Sequence, residues 1–596
     1  MDHLRFLMYH VHQVQRLFDR ERFQDYDKDS VDILLNSVKD FADKELFPVF
    51  REMDSKPAVY KDGMVYVHPA VKTMMEHSGE MGLIGAQFDY EDGGMQLPTS
   101  VLTGVELIVA AANNHMTGYP GLTGGAAGLI VSFASQELKD TYVPNMINGK
   151  WGGTMCLTEP QAGSSLSDVT STASPQEDGS YKIKGQKIFI SGGDHQFAEN
   201  FVHLVLARID GAPKGTKGIS LFVVPKNRIK EDGSLEYNDV TTVADFPKMG
   251  QKGYATTHLA FGDKEDCQGW LVGEPHKGLK YMFQMMNGAR IAVGRDATAV
   301  ACAAYYASLQ YAQERRQGRK LTSAGKKDVN DEQTLIINHP DVRRMLFLQK
   351  AIVEGAMSLI MEASYFKDLE ETSEGDEKVK NNLLLEILTP VVKTYPSEKG
   401  RESVNNGLQI LGGYGFTEDF VLQQYYRDIR IMAIYEGTTG IQSLDLLGRK
   451  VTMDNGKALK MLGKEMMETI EAAKTFDELK PFAEILENKL SQNEQTLMFL
   501  IPFAMQGDYE RFLSDATIFM EFFSIIVIGW QWLKMATVAK QALVTGSQDF
   551  TNDFLESKIH TMKFYFKYEM PKTDGLSQII TDPNVVTIIK DRELIS

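Results

Sequence analysis

The feature that most constrains this chain is a change of texture in its interior. From about residue 151 to 270 the apolar residues fall into short alternating or continuous runs, among them 181–184, 201–206 and 219–224. Asp178-Gly179 and Asp232-Gly233, dipeptides that favour tight turns, lie between such runs. Side chains at a period of two suit a pleated sheet, so this stretch is predicted to be a compact antiparallel β domain. On either side the period lengthens. Val31, Leu34, Leu35, Val38, Phe41 and Ala42 recur at helical spacing, which gives an amphipathic stripe. Beyond the β region, long helices are predicted from Gly278 to about Arg315, Pro340 to Asp368 and Lys378 to about Asn406. The charged stretches 322–333 and 371–381 read as surface loops, and Asp454-Asn455-Gly456 as a turn. The expected fold is mostly α with a central antiparallel β domain. Its parts are an N-terminal helical domain (1–150), a middle β domain (151–275), a helical bundle (276–452) and a C-terminal helical extension (453–596).

Composition narrows the function. A chain of 596 residues exceeds one ordinary core, and 43% hydrophobic content suffices to fill several. The net charge of −17 repels a phosphate backbone, so nucleic-acid binding is not expected. Cys156, Cys267 and Cys302 form no Cys-x-x-Cys pair. That spacing suits a reducing compartment and predicts neither a disulfide framework nor a metal site. The start, Met-Asp-His followed by Asp19, Glu21 and Asp25, resembles neither a secretory nor a transit segment, so a cytoplasmic location is expected. The apolar run 522–533 is shorter than the ~20 residues a bilayer span needs. The wider segment 518–533, flanked by Glu521 and Lys534, is expected to be a buried helix of the extension, with no integral membrane association. Gly121, Gly124, Gly125 and Gly128 read as close helix packing or a loop, since no strand precedes them as a phosphate-cradling turn requires.

Four short segments carry the chemistry. In 155–164 small residues, hydroxyls and Pro160 expose backbone N–H groups suited to carbonyl or phosphate oxygens. In 187–193 a strand ends with Phe189 and Ser191 on one face, where an aromatic can stack on a planar cofactor. The third segment is Gln409-Ile410-Leu411-Gly412-Gly413-Tyr414-Gly415 with Arg427-Asp428, and the fourth Ile434-Tyr435-Glu436-Gly437-Thr438-Thr439-Gly440-Ile441-Gln442. Taken singly, each reads as plain β-domain core, turn or solvated loop.

In this order, over about residues 30 to 450, they resemble the acyl-CoA dehydrogenase family, flavoproteins that oxidise acyl-CoA thioesters to 2-enoyl-CoA. The resemblance implies FAD lined by Met155, Cys156, Leu157, Thr158, Gly163 and Ser164, with Phe189, Ile190 and Ser191 beside the flavin ring. It gives Arg315 to the FAD pyrophosphate across a subunit interface, Gln409, Gly412 and Gly413 to the partner's FAD, and Thr438 and Gly440 to the FAD of the chain's own site. Ser164, Asn287, Arg290 and Gly437 fall at substrate-binding positions, and Glu436 matches the base that takes the α-proton before hydride passes to flavin N5. Some relatives carry that base on the helix of Asn287, where this chain has Ala289. Phe189, Gly318 and Gly440 depart from the usual residues. Implied partners are an acyl-CoA, an electron-transferring flavoprotein, and a second copy of the chain in a homodimer or dimer of dimers. The length matches the larger bacterial members, including 3-methylmercaptopropionyl-CoA dehydrogenases. An acyl-CoA oxidase and a catalytically silent binding protein are the other readings.

Overall fold

In the computed structural model, which describes residues 1–588 and Leu594, the chain forms two compact units. One is Asp29–Ala289; the other joins Met1–Lys28 to the chain from Arg290 onward. The segment 1–28, which the sequence reading placed in the N-terminal domain, thus belongs with the second unit.

In the first unit the sheet runs Val240–Asp245, Thr256–Phe261, Tyr181–Ser191, Gln268–Leu271, Ile219–Pro225, Asn200–Ile209, Trp151–Cys156 in spatial order. Asn200–Ile209 and Ile219–Pro225 pair antiparallel and are buried almost throughout, which is why both read as continuous apolar runs. The sheet is mixed, however, and corrects the antiparallel expectation. Trp151–Cys156 and Thr172–Pro175 both pair parallel with Asn200–Ile209. Local turn signals mark hairpins, whereas a parallel pair is made by a long connection that no dipeptide announces. The helical reading of the N-terminal region also passed over the hairpin Val59–Lys61/Met64–Tyr66, which turns at Asp62-Gly63 with φ of 52° and 82°. The glycine patch lies in the helix Gly118–Phe133. A Cβ on Gly124 would stand 2.4 Å from the Ile84 carbonyl oxygen, so the patch serves close packing.

In the second unit the helices Pro340–Thr372 and Gly375–Leu411 pack along each other. The charged stretch 371–381, expected as a loop, holds the last residues of one helix, a two-residue connection at 373–374 and the first turns of the next, polar because most of it is exposed. At 454–456 the backbone is left-handed, with φ of 52°, 57° and 77°, as the turn reading requires. The apolar segment sits in the helix Ala516–Thr545, which is 30 residues long and holds an 18-residue stretch with a mean hydropathy of 1.5. By length and composition it is fit to cross a membrane, which corrects the argument from shortness. Instead 83% of that stretch is buried, and the helix packs on Pro340–Thr372, Asn552–Tyr568 and Lys572–Ile580. Trp532 Nε1 donates to the Ala351 carbonyl at 2.9 Å. The flanking charges are used: Lys534 pairs with Glu362 at 2.6 Å and Glu521 with Lys399 at 2.9 Å. The N-terminal segment docks on the same bundle through His12 Nδ1, 3.1 Å from Glu362, and Phe6 against Phe550 and Phe554.

Candidate active site

The loop 155–164 leaves the strand Trp151–Cys156 with Met155, Leu157 and Thr158 half-buried and Gly163 and Ser164 exposed. Beneath it lies Glu159, only 2% exposed, with both carboxylate oxygens saturated. Oε1 accepts from Lys187 Nζ (2.7 Å), Ser171 Oγ (2.6 Å) and Ser171 N (3.1 Å). Oε2 accepts from Thr170 N (2.7 Å), Thr170 Oγ1 (2.8 Å) and Gln161 Nε2 (2.7 Å). Lys187 completes its valence on the carbonyls of Leu157 (3.1 Å) and Leu206 (2.8 Å). Burial pushes the Glu159 carboxyl up, but the Lys187 ammonium and the hydroxyl and amide donors outweigh it and hold it at about 2. The sequence reading gave Glu159 and Lys187 no role. They stand 28 residues apart, with no local signal that they pair.

The strand Tyr181–Ser191 carries Phe189, and Ile188 N donates to the Thr158 carbonyl at 2.9 Å, tying strand to loop. At Phe189 the backbone is left-handed (φ 57°), and the register shifts opposite Thr257 and Leu259. This bulge interrupts the alternation that would set Phe189 and Ser191 on one face. Ile183, Lys187 and Ile190 are buried, Ser191 is half-buried, and the Phe189 ring is exposed against Phe246, centroids 4.6 Å apart. Cys156 is buried and its thiol is pushed up to about 12 by burial, so its part in lining the loop is steric.

The second unit carries the carboxylate. Glu436 and Gly437 are both left-handed, with φ of 52° and 86°, just before the helix Thr439–Asp445. Such a turn needs support for a non-glycine residue, and two side chains supply it. Gln442 Nε2 donates to the Glu436 carbonyl at 3.0 Å, and Lys393 Nζ to the Gly437 carbonyl at 2.8 Å. Thr438 caps the helix by accepting from Ile441 N at 3.3 Å, and Thr439 Oγ1 donates to Glu398 at 2.6 Å. Glycine is favoured at 437 by φ 86°, and a Cβ there would lie 2.6 Å from Gln442 Nε2 and displace that clamp. The Glu436 carboxylate itself receives no hydrogen bond among the described residues. Burial raises its pKa, opposed by the charges of Lys393 and Arg290.

Arg290 stands three residues after Asn287 on the helix Gly278–Glu314; it is 5% exposed and pairs with Asp445 at 2.9 Å. An expected substrate contact is therefore a buried, partly neutralised cation, while Asn287 is half-buried. Lys450, paired with Glu386, adds a further buried cation beside Arg290.

Elsewhere in this unit Arg315, exposed, borders an open cleft of about 510 Å³ with Tyr311, Leu411, Gly412 and Gly413. A Cβ at Gly412 or Gly413 would meet no atom within 4 Å, so the backbone there is open to a ligand. Gln409 is exposed on the preceding turn, as are Thr438 and Gly440 at the other site. Gly318 adopts φ 69°, which accounts for a glycine in that place. A guanidinium beside bare backbone suits a pyrophosphate, and an exposed ring with neighbouring hydroxyls suits a flavin, so the residues present fit FAD. Among the described residues no group of three His, Cys, Asp or Glu side chains forms a metal site.

Four family models match in order. They are the acyl-CoA dehydrogenase N-terminal domain (residues 28–150), middle domain (154–264) and C-terminal domain (276–451), and an acetyl-CoA dehydrogenase C-terminal-like domain (462–588). The chain is 35% identical to the 3-methylmercaptopropionyl-CoA dehydrogenase of Ruegeria pomeroyi, over 97% of this chain and 96% of that protein. It is 34% identical to the broad-specificity linear acyl-CoA dehydrogenase of Mycobacterium tuberculosis, over 96% of each. An acyl-CoA dehydrogenase from Bacillus anthracis, solved with FAD, superposes with a TM-score of 0.74 at 21% identity, covering 96% of this chain and 91% of that one.

Proposed function

The chain belongs to the acyl-CoA dehydrogenase family, and from that premise we propose that it removes the α- and β-hydrogens of a saturated acyl-CoA to leave the trans-2-enoyl-CoA. It is an oxidoreductase with FAD as cofactor. When bound, FAD supplies the acceptor for the β-hydride. Glu436 takes the α-proton onto a carboxylate oxygen. The observation that carries this reading is its setting: a desolvated carboxylate without hydrogen-bond donors, on a turn fixed by two side chains. A carboxylate stripped of donors is a stronger base, which a weakly acidic α-carbon demands. The Thr158, Ser164 and Phe189 cluster would face the flavin, and Arg315 with Gly412 and Gly413 would hold a pyrophosphate shared with a second copy of the chain.

The substrate class we propose is an unbranched acyl-CoA, supported by the two relatives named for linear acyl chains and for 3-methylmercaptopropionyl-CoA. The electrons would leave to an electron-transferring flavoprotein in the cytoplasm. The test is anaerobic reduction of the yellow flavoprotein by a panel of acyl-CoAs, then reoxidation. Bleaching by straight-chain thioesters with slow recovery in air supports the proposal. Fast reoxidation by oxygen makes the protein an oxidase, and absence of bleaching by any thioester makes it a binding protein.

A further inference from the structure

Lys393 lies on the helix Gly375–Leu411 with 0% exposure, and the Gly437 carbonyl is the one hydrogen-bond partner of its ammonium among the described residues. A neutral donor suffices to hold a carbonyl, as Gln442 does one residue earlier. A buried ammonium costs far more to place there than an amide. Its charge must answer something, and the group it acts on most strongly is the carboxylate of Glu436. We propose that Lys393 is the positioning residue of the Glu436 base: its ammonium holds the left-handed turn and supplies the positive charge against which the carboxylate sits. The proposal rests on Glu436 being the base.

The surrounding charges single out Lys393. Glu436 is faced by Lys393 from Gly375–Leu411 and by Arg290 from Gly278–Glu314. Arg290 is committed to Asp445, and Lys450, beside Arg290, to Glu386. Lys393 is faced by Glu436, Glu398 and Arg290, and Glu398 is shared with Thr439 and Arg401. Tyr435, next in the chain, is faced by Asp296, Glu436 and Arg295. Among the described residues Lys393 is thus the cation near Glu436 that makes no carboxylate contact of its own. Burial brings its ammonium down to about 8, so the clamp weakens from a charge-assisted to a neutral bond above that pH.

The experiment uses the flavin-loaded enzyme and the pH profile of kcat/KM. In Lys393→Gln the acid limb moves up by roughly one pH unit, a roughly tenfold loss of kcat/KM below the limb. The carboxyl infrared band of Glu436, identified by difference from Glu436→Gln, titrates upward with it. In Lys393→Arg, whose guanidinium keeps the positive charge, the acid limb stays. Gln442→Ala, which removes the uncharged clamp, lowers the rate without moving the acid limb. An unmoved acid limb in fully flavinylated Lys393→Gln overturns the proposal. Should that variant not accumulate as flavoprotein, Lys393→Met is read in the same way, and Lys393→Arg, which keeps the charge, overturns the proposal if its acid limb moves up. Glu436→Gln separates the two claims: if it still reduces flavin, the base assignment fails, and if it is inert while the acid limb of Lys393→Gln does not move, only the role of Lys393 fails.

Discussion

Two glutamates, each with a lysine for company, lie in the two units and behave in opposite ways: Glu159 is buried and Glu436 half-buried. Glu159 receives six hydrogen bonds and its Lys187 touches it directly, at 2.7 Å. Glu436 receives none among the described residues, and its Lys393 bonds the neighbouring carbonyl instead. Both carboxylates are desolvated, yet one is held at about 2 and the other is raised. Burial alone therefore does not decide what a carboxylate does. The donors aimed at it decide, because each stabilises the anion by a charge-assisted bond that water no longer supplies. Glu159 is an anchor that shapes the loop 155–164; Glu436 is left able to take a proton.

The sharpest way to break this contrast is Glu436→Gln. Flavin should remain bound while its reduction by acyl-CoA, followed by anaerobic stopped flow, falls by roughly 10²–10⁴-fold. The variant should also be slightly more stable than wild type at neutral pH. A carboxyl whose folded pKa is raised loses stability as pH rises from its ordinary value toward the folded one, and Gln removes that loss. Glu159→Gln should do the reverse. It leaves Lys187 buried and unpaired, and denaturant unfolding should show the β-containing unit weaker by about 3–5 kcal/mol, with flavin lost. The pH dependence has a definite sign. The Glu159 contribution is complete above the ordinary value near 4.5 and is lost as pH falls toward about 2, and the variant should lack that acid transition.

Smaller effects sharpen the picture. Arg315→Ala should weaken FAD binding by roughly 1.5–3 kcal/mol, measured by flavin release, more severely on dilution if a second copy shares the site. Gly437→Ala should cost about 1–2 kcal/mol at φ 86° and displace Gln442, lowering the reduction rate without the complete loss seen for Glu436→Gln.

Much of the fold was legible because it is written in local periods. The short alternating and continuous apolar runs between 181 and 224 marked the sheet, and the three-to-four spacing marked the helices from Gly278 onward. The four ordered segments, with Glu436 among them, pointed to the chemistry. What the sequence left unread is what depends on partners distant along the chain. The parallel pairing of Trp151–Cys156, the docking of 1–28 on the helical unit and the burial of Ala516–Thr545 are set by which surfaces meet. Lys393 reaches a carbonyl 44 residues away and Lys187 a carboxylate 28 residues away. The sequence by itself determined which residue types are present and the rhythm that makes each element. Only the tertiary structure decided which glutamate is saturated and which is left bare, because hydrogen-bond donors and dielectric belong to a place in space, not to a position in the chain.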